Sequence, residues 1–367
     1  ELTTRVQGRA LPKVEIVDLR QELVHGRRSP LLSLRLQRAL ERTVALQEQA
    51  ILLLNRRGFA RIAQCPACGA VVRCDACSVP LIYHATTQQL RCHYCSRSRP
   101  APETCAACSR GYVRLRGSGT QRIESELHRL FPASAIARLD SDATKPKDSH
   151  RRLYDAIATR QVDLLVGTQM VAKGLDLPHV TLVGVVSADT ALNLPDFRAG
   201  ERTFELLTQV AGRAGRGDRP GRVMIQTFCP DHYAIQAASR HDYHAFYRAE
   251  IKMRKRLQLP PFTHLVELTV QGGRRARVEQ AAHALAEALR GRIAGRVPPP
   301  NGSLVGGRAM QVLGPAPHRL AVLRGTHRWH LVLKGKQVIP VLAAVRQVLR
   351  EGRRFHGLPV IVDVDPL

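Results

Sequence analysis

Eight of the nine cysteines fall between residues 65 and 108 as four CxxC pairs: Cys65 and Cys68, Cys74 and Cys77, Cys92 and Cys95, Cys105 and Cys108. A CxxC turn aims two sulfurs at one point, and two such turns complete the four-thiolate shell of a structural zinc ion. Eight cysteines therefore imply two zinc ions. A redox site of thioredoxin type needs one pair, not four, and disulfides do not suit a reducing compartment. The 14 residues between Cys77 and Cys92 approach the zinc-ribbon interval of roughly 15 to 20. That favours a nested arrangement, with Cys74, Cys77, Cys92 and Cys95 on one ion and Cys65, Cys68, Cys105 and Cys108 on the other; a cross-braced pairing is the alternative that spacing leaves open. Closed thiolate shells have no position for water, so both ions are expected to hold shape and not to catalyse. Cys229 stands alone.

The charge balance points to a polyanion. Lys and Arg number 56 against 30 Asp and Glu, a formal charge of +26 spread through every segment of the 367 residues, which makes nucleic acid the first candidate over a merely solvated basic surface. No run of 18 apolar residues occurs, and ELTTRVQGRALPKVEIVDLR lacks the apolar core of a signal peptide. A cytoplasmic protein is expected.

Around the cysteines the sequence alternates strands with helices. Leu32, Leu36, Leu40 and Val44 form one helical face, and AILLLN at 50–55 suits a strand buried on both sides. Further strands are expected at 112–116, 135–140, 162–167, 180–186 and 222–228, which predicts an α/β fold with a mostly parallel sheet. The zinc region then reads as an insertion after the first strand. Ligands of such sheets bind beyond the carboxyl ends of the strands. There, GSGTQRIESEL from Gly117 offers Gly119 and Thr120, and GTQMVAKGLDLP at 167–178 offers Thr168, Gln169, Lys173 and Asp176. TQVAGRAGRG at 208–217 places Gln209, Arg213 and Arg216 on one face if it is helical throughout. Two guanidinium groups aimed at one point suit a phosphate chain.

These segments resemble the second RecA-like lobe of superfamily 2 helicases, with QVAGRAGR as motif VI and GTQMVAKGLD as motif V. NRRGF at 55–59, the eight-cysteine insertion, GSGTQRIESEL, LDSDAT, LNLPDFRAGERTFELLTQVAGRAGR and the closing DVDP together resemble the PriA family of replication-restart helicases over essentially the whole chain. The resemblance implies an ATP-dependent 3′ to 5′ DNA helicase that recognises abandoned forks and helps reload the replicative helicase, a monomer with single-stranded-DNA-binding protein and primosome proteins as partners. It also implies residue roles. Arg213 and Arg216 meet the ATP phosphates with Gln209, Asp176 couples motif V to the nucleotide, and Gly119, Thr120, Thr168, Gln169 and Lys173 touch DNA. The family's two zinc ions are bound in the nested pairing. Ser187 stands where the family usually carries Asp.

No GxxxxGK[ST] and no Asp-Glu dipeptide occurs in the sequence, and one lobe cannot cradle Mg-ATP without the other. The chain is therefore expected to be the carboxyl-terminal half of the helicase and not to hydrolyse ATP alone; a zinc-containing, non-enzymatic primosome scaffold is the competing reading. Residues 1–30 are then an inter-lobe segment, 31–64 and 109–229 the RecA-like lobe, 65–108 the zinc insertion and 230–367 a C-terminal α+β domain. Beyond Pro260-Pro261 the order strand, helix, three strands, helix, strand suggests a ferredoxin-like domain for DNA and partner binding. Within it Trp329 is read either as core or as a base-stacking residue.

Overall fold

Gln49–Leu54 is buried at every position, and a strand with no exposed side must lie inside a sheet covered on both faces. The computed structural model describes residues 11–24, 31–54, 61–77, 79–84, 87–109, 114–116, 120–139, 149–168, 177–215, 219–294, 310–351 and 357–366. They form two units, residues 1–72 with 102–249 and residues 73–101 with 250–367. The cysteine-rich stretch, expected as one insertion, is thus shared between both.

The strands in chain order are β1 (Lys13–Asp18), β2 (Gln49–Leu54), β3 (Arg61–Gln64), β4 (Ile82–His84), β5 (Gln89–Arg91), β6 (Ser98–Pro100), β7 (Arg114–Arg116) and β8 (Ile136–Leu139). They continue as β9 (Leu164–Gly167), β10 (Val180–Ser187), β11 (Arg222–Thr227), β12 (His264–Gly272), β13 (Met310–Leu323), β14 (Thr326–Gly335) and β15 (Val360–Val364). In the first unit six strands run parallel in the order β1-β11-β10-β2-β9-β8. Alternation along β2 divides the core. Ile51 and Leu53 face one cluster with Leu165, Val183, Val185 and Ile225, while Leu52 and Leu54 face the other with Leu36, Leu40, Val166 and Met224. The helix Leu34–Ala45 closes the second face, started by the Ser33 side chain accepting from the Leu36 N–H.

One expectation needs correction, and one strand was not foreseen. YVRLR at 112–116 is not a strand of the parallel sheet: β7 pairs antiparallel with β3, forming a stem for the cysteine-rich excursion. Its three residues, RLR, have one apolar side chain and cannot fill a position buried on both faces. β1 was unforeseen and lies at the sheet edge beside β11.

In the second unit β12, β13, β14 and β15 make an antiparallel sheet in the order β13-β14-β12-β15, and the β-α-β-β-α-β sequence is completed by the helices Arg275–Ala294 and Val338–Arg350. This is the expected ferredoxin-like order. The segments expected separately at 310–314 and 319–324 are one irregular strand, β13. Trp329 is 5% exposed within the apolar cluster under the helices, so it is core. β4, β5 and β6 pair antiparallel in the same unit. Among the described residues no helix is long and apolar enough to cross a membrane.

Candidate functional site

The sulfurs sort into two clusters, Cys65, Cys68, Cys105 and Cys108 in the first unit and Cys74, Cys77, Cys92 and Cys95 in the second, the ligand atoms of each lying within 4.8 Å of one another. The nested pairing is therefore what the fold adopts. Sulfur separations are 3.8 Å for Cys65 and Cys108, 3.7 Å for Cys68 and Cys105 and 3.5 Å for Cys74 and Cys95. A tetrahedron with Zn–S bonds of about 2.3 Å has edges of about 3.8 Å, so both clusters have the size zinc requires.

Three of the four turns are built alike among the described residues. The chain reverses after the second cysteine, with the N–H of Gly69, Ser96 and Ser109 donating to the oxygen of Cys65, Cys92 and Cys105 at 2.9, 3.0 and 2.8 Å. All three residues have positive φ. The small residue after each CxxC is a sequence signal that cysteine spacing alone overlooks. The N–H groups of Tyr94 and Cys95 point at the Cys92 sulfur, at 3.4 and 3.5 Å.

As free thiols these groups resist ionising together. Burial pushes Cys68 up to about 12 and Cys95 up to about 11. A hydrogen bond from Cys77 brings Cys92 down to about 5, and the same bond drives Cys77 far up. A central dication resolves the conflict by favouring all four thiolates at once.

The outer cluster is seated on the parallel-sheet unit by residues that the sequence did not single out. Gly69, at φ +77, packs so closely that an added Cβ would stand 2.0 Å from the Phe228 oxygen. Gln64, beside Cys65, donates to Asp189 at 3.3 Å and to the Gly69 oxygen at 3.2 Å. Asp189, 2% exposed, also accepts from the Phe228 N–H at 3.0 Å and the Thr227 hydroxyl at 3.2 Å. Burial nevertheless raises its carboxyl above the ordinary 3.8. The lone Cys229 belongs here too, its thiol donating to the Gly69 oxygen at 3.6 Å. Ser187 lies two residues before Asp189 and bonds with Thr190 at 3.3 Å.

The other residues singled out by the sequence fall at opposite edges of the parallel sheet. Thr168 follows β9 at the carboxyl edge, half-buried, its N–H donating to Leu139 at 3.3 Å. The helix Ala199–Ala211 leads back toward the amino edge; Gln209 is exposed near its end and Arg213 half-buried just beyond it. There Gly215 donates to the oxygen of Val180, the first residue of β10, at 3.1 Å. Motif VI is therefore not helical throughout. Gly212 caps the helix, and Gly215, at φ +68, touches Gly221 so closely that a Cβ would lie 2.3 Å from its nitrogen. Glu48 sits at the same edge, accepting from Thr181 at 2.5 Å and pairing with Arg219. Thr120 opens the helix Thr120–Leu130. Gly119, Gln169, Lys173, Asp176 and Arg216 lie outside the described residues, as do NRRGF and the side chain of Thr120.

Three family models match: the primosomal protein N C-terminal domain over residues 255–367, the PriA DNA helicase Cys-rich region over 74–100 and the helicase conserved C-terminal domain over 117–218. The replication restart protein PriA of Bacillus subtilis is 41% identical over 365 residues, covering 99% of this chain and 44% of that protein. This chain belongs to the PriA family. The Synechocystis PriA is 42% identical over 371 residues, covering all of this chain and 43% of its own length; for the Treponema pallidum PriA the figures are 38%, 366 residues, 100% and 53%. The chain spans about half the length of these PriA relatives and matches their carboxyl-terminal portion.

Proposed function

We propose that the chain is the second motor lobe and C-terminal domain of an ATP-dependent 3′ to 5′ DNA helicase that acts at abandoned replication forks and helps reload the replicative helicase. The observation that carries the reading is the division of the motor residues between the two edges of one rigid sheet: Thr168 at the carboxyl edge, Gln209 and Arg213 at the amino edge. A motor that turns hydrolysis into movement along a strand must hold nucleotide and nucleic acid apart on a body that transmits displacement. In this reading Gln209, Arg213 and Arg216 meet the ATP phosphates. Arg216 stabilises charge on the transferring phosphoryl group, an effect worth about 10³ to 10⁵ in rate where it operates. Asp176 couples motif V to the nucleotide, while Gly119, Thr120, Thr168, Gln169 and Lys173 follow the DNA backbone.

ATP and Mg²⁺ also need a Walker A loop, so the chain alone binds DNA without turning over ATP. The same reading brings single-stranded-DNA-binding protein and primosome proteins as partners, a monomeric state and a cytoplasmic location at forks. Binding of fork and blunt-duplex DNA across a salt series, with ATP turnover measured alone and with an added first lobe, tests it. The expected results are affinity that falls steeply with salt, a preference for forks, and turnover only when both lobes are present and Arg213 is intact. Absence of DNA binding at low salt, or steady hydrolysis by the chain alone, overturns the reading.

A further inference from the structure

The helices of the C-terminal domain cover one face of its sheet, where Val266, Leu268, Val270, Leu331 and Leu333 form the core. Alternation sends Glu267, Thr269 and His330 to the opposite face. These polar residues are nevertheless buried, at 9%, 5% and 5% exposure. Part of the reason is the cysteine-rich stretch in the same unit. His330 donates from Nε2 to the backbone oxygen of His93 at 2.7 Å, and His93 directly follows the metal ligand Cys92.

A carbonyl oxygen only accepts, so the hydrogen of that bond belongs to His330 Nε2. On the other side of the ring Nδ1 lies 2.5 Å from Glu267 Oε1, which fixes the ring's orientation. His318 approaches the same carboxylate at 3.6 Å. His93 in turn meets His84, Nε2 to Nε2, at 3.1 Å. Farther along the same face of β14, Lys334 donates to the Leu257 oxygen at 2.8 Å. A chain of carboxylate, imidazole and backbone carbonyl thus runs from the C-terminal sheet into the turn that carries Cys92 and Cys95.

We infer that His330 is a positioning residue for the inner metal centre: it fixes the Cys92 turn, so that metal retention by Cys74, Cys77, Cys92 and Cys95 is coupled to the C-terminal sheet while the outer centre is not. The inference rests on reading these cysteines as zinc ligands. Outer partners of metal ligands are worth about 10- to 100-fold in metal affinity. The test is zinc content, followed by zinc release to a chromogenic chelator, on the whole 367-residue chain. About two ions in the parent protein establish the zinc reading, and none overturns that reading independently of His330.

His330→Ala should speed the release of one ion about tenfold and leave the other unchanged. His330→Gln, which keeps a donor near the Nε2 position, should restore most of the retention, and Glu267→Ala should act in the same direction as His330→Ala with a smaller effect. Cadmium-113 spectra of the exchanged protein should show one of two four-thiolate resonances moving. Equal acceleration of both ions, or parental release in a folded His330→Ala chain, overturns the proposal. Should His330→Ala not fold, Glu267→Ala decides it: faster release of one ion alone supports the proposal, and parental release or equal acceleration of both ions overturns it.

Discussion

Replacing Asp189 by alanine removes the acceptor on which the Phe228 N–H, the Thr227 hydroxyl and the Gln64 amide converge. The amide of Gln64 keeps a second acceptor in the Gly69 oxygen, and the Thr227 hydroxyl can rotate. The Phe228 N–H loses the carboxyl that accepts from it at 3.0 Å. Each lost neutral hydrogen bond costs about 0.5–1.5 kcal/mol, and with three of them converging on the carboxyl a loss of about 3 kcal/mol is expected. For a unit in the 150–250-residue range that is a fall in Tm of about 6–12 °C.

The sign of the pH dependence follows from burial. The folded carboxyl binds its proton more tightly than the unfolded one, whose ordinary value is 3.8. Its stabilising contribution is fully present below that value and is lost as pH rises through the raised folded value. The gap between parent and Asp189→Ala should therefore narrow as pH increases. Thermal unfolding with saturating zinc, repeated across the pH range in which the thiolate centres stay loaded, measures it. A gap under about 0.5 kcal/mol, within the range of neutral surface changes, or one that widens with pH, refutes the reasoning.

Four further outcomes are expected. Gly69→Ala places a side chain at φ +77 against the Phe228 oxygen and should cost at least about 2 kcal/mol from backbone strain and displacement; unchanged unfolding excludes the close seating. Gln226, fully buried, accepts from the Ser33 N–H at 2.7 Å and donates to the Leu31 and Val186 oxygens at 3.1 and 2.8 Å. Gln226→Leu should therefore lose about 2–4 kcal/mol in chemical denaturation, and parental stability contradicts it. Chelation should extract about two zinc ions per chain and abolish protection of residues 65–108 from hydrogen exchange; retained protection after complete metal removal contradicts structural zinc. Single ligand substitutions supply the fourth.

Local pattern made much of the architecture readable. The unbroken apolar run of β2 and the four-residue recurrence carried by Leu36, Leu40 and Val44 each appear within a short window and are found, and the ferredoxin-like alternation after Pro261 is found with one strand fewer between its helices than the sequence suggests. What escaped depends on distant partners. β1 is recognisable only beside β11, whose Val223 it pairs with across the whole lobe. Motif VI resembles helix through Arg216 until the Gly215 N–H is seen bonded to Val180. Asp189, Gln64 and His330 carry no periodicity of their own. Their importance lies in which buried donors and acceptors they meet, and those partners are more than 30 residues away. The cysteines were legible because metal ligation leaves a spacing, whereas the supports around them leave none.

The pairing of the cysteines also decides which unit supplies the ligands of each ion. Cross-bracing would join Cys65 and Cys68 to Cys92 and Cys95, and Cys74 and Cys77 to Cys105 and Cys108, giving each ion ligands from both units. The nested pairing instead closes the outer ion at the base of the excursion, within the first unit, and leaves residues 73–101 to complete the inner ion in the second. Each ion then stabilises the unit that supplies its ligands. Cys105→Ser should reduce zinc to about one ion per chain, lower the unfolding temperature of the first unit and leave the second unit's transition in place; Cys74→Ser should do the reverse. Differential unfolding followed by hydrogen exchange in the two units separates these outcomes. If either substitution destabilises both units equally, the ions act on one body, and the nested pairing does not divide their work.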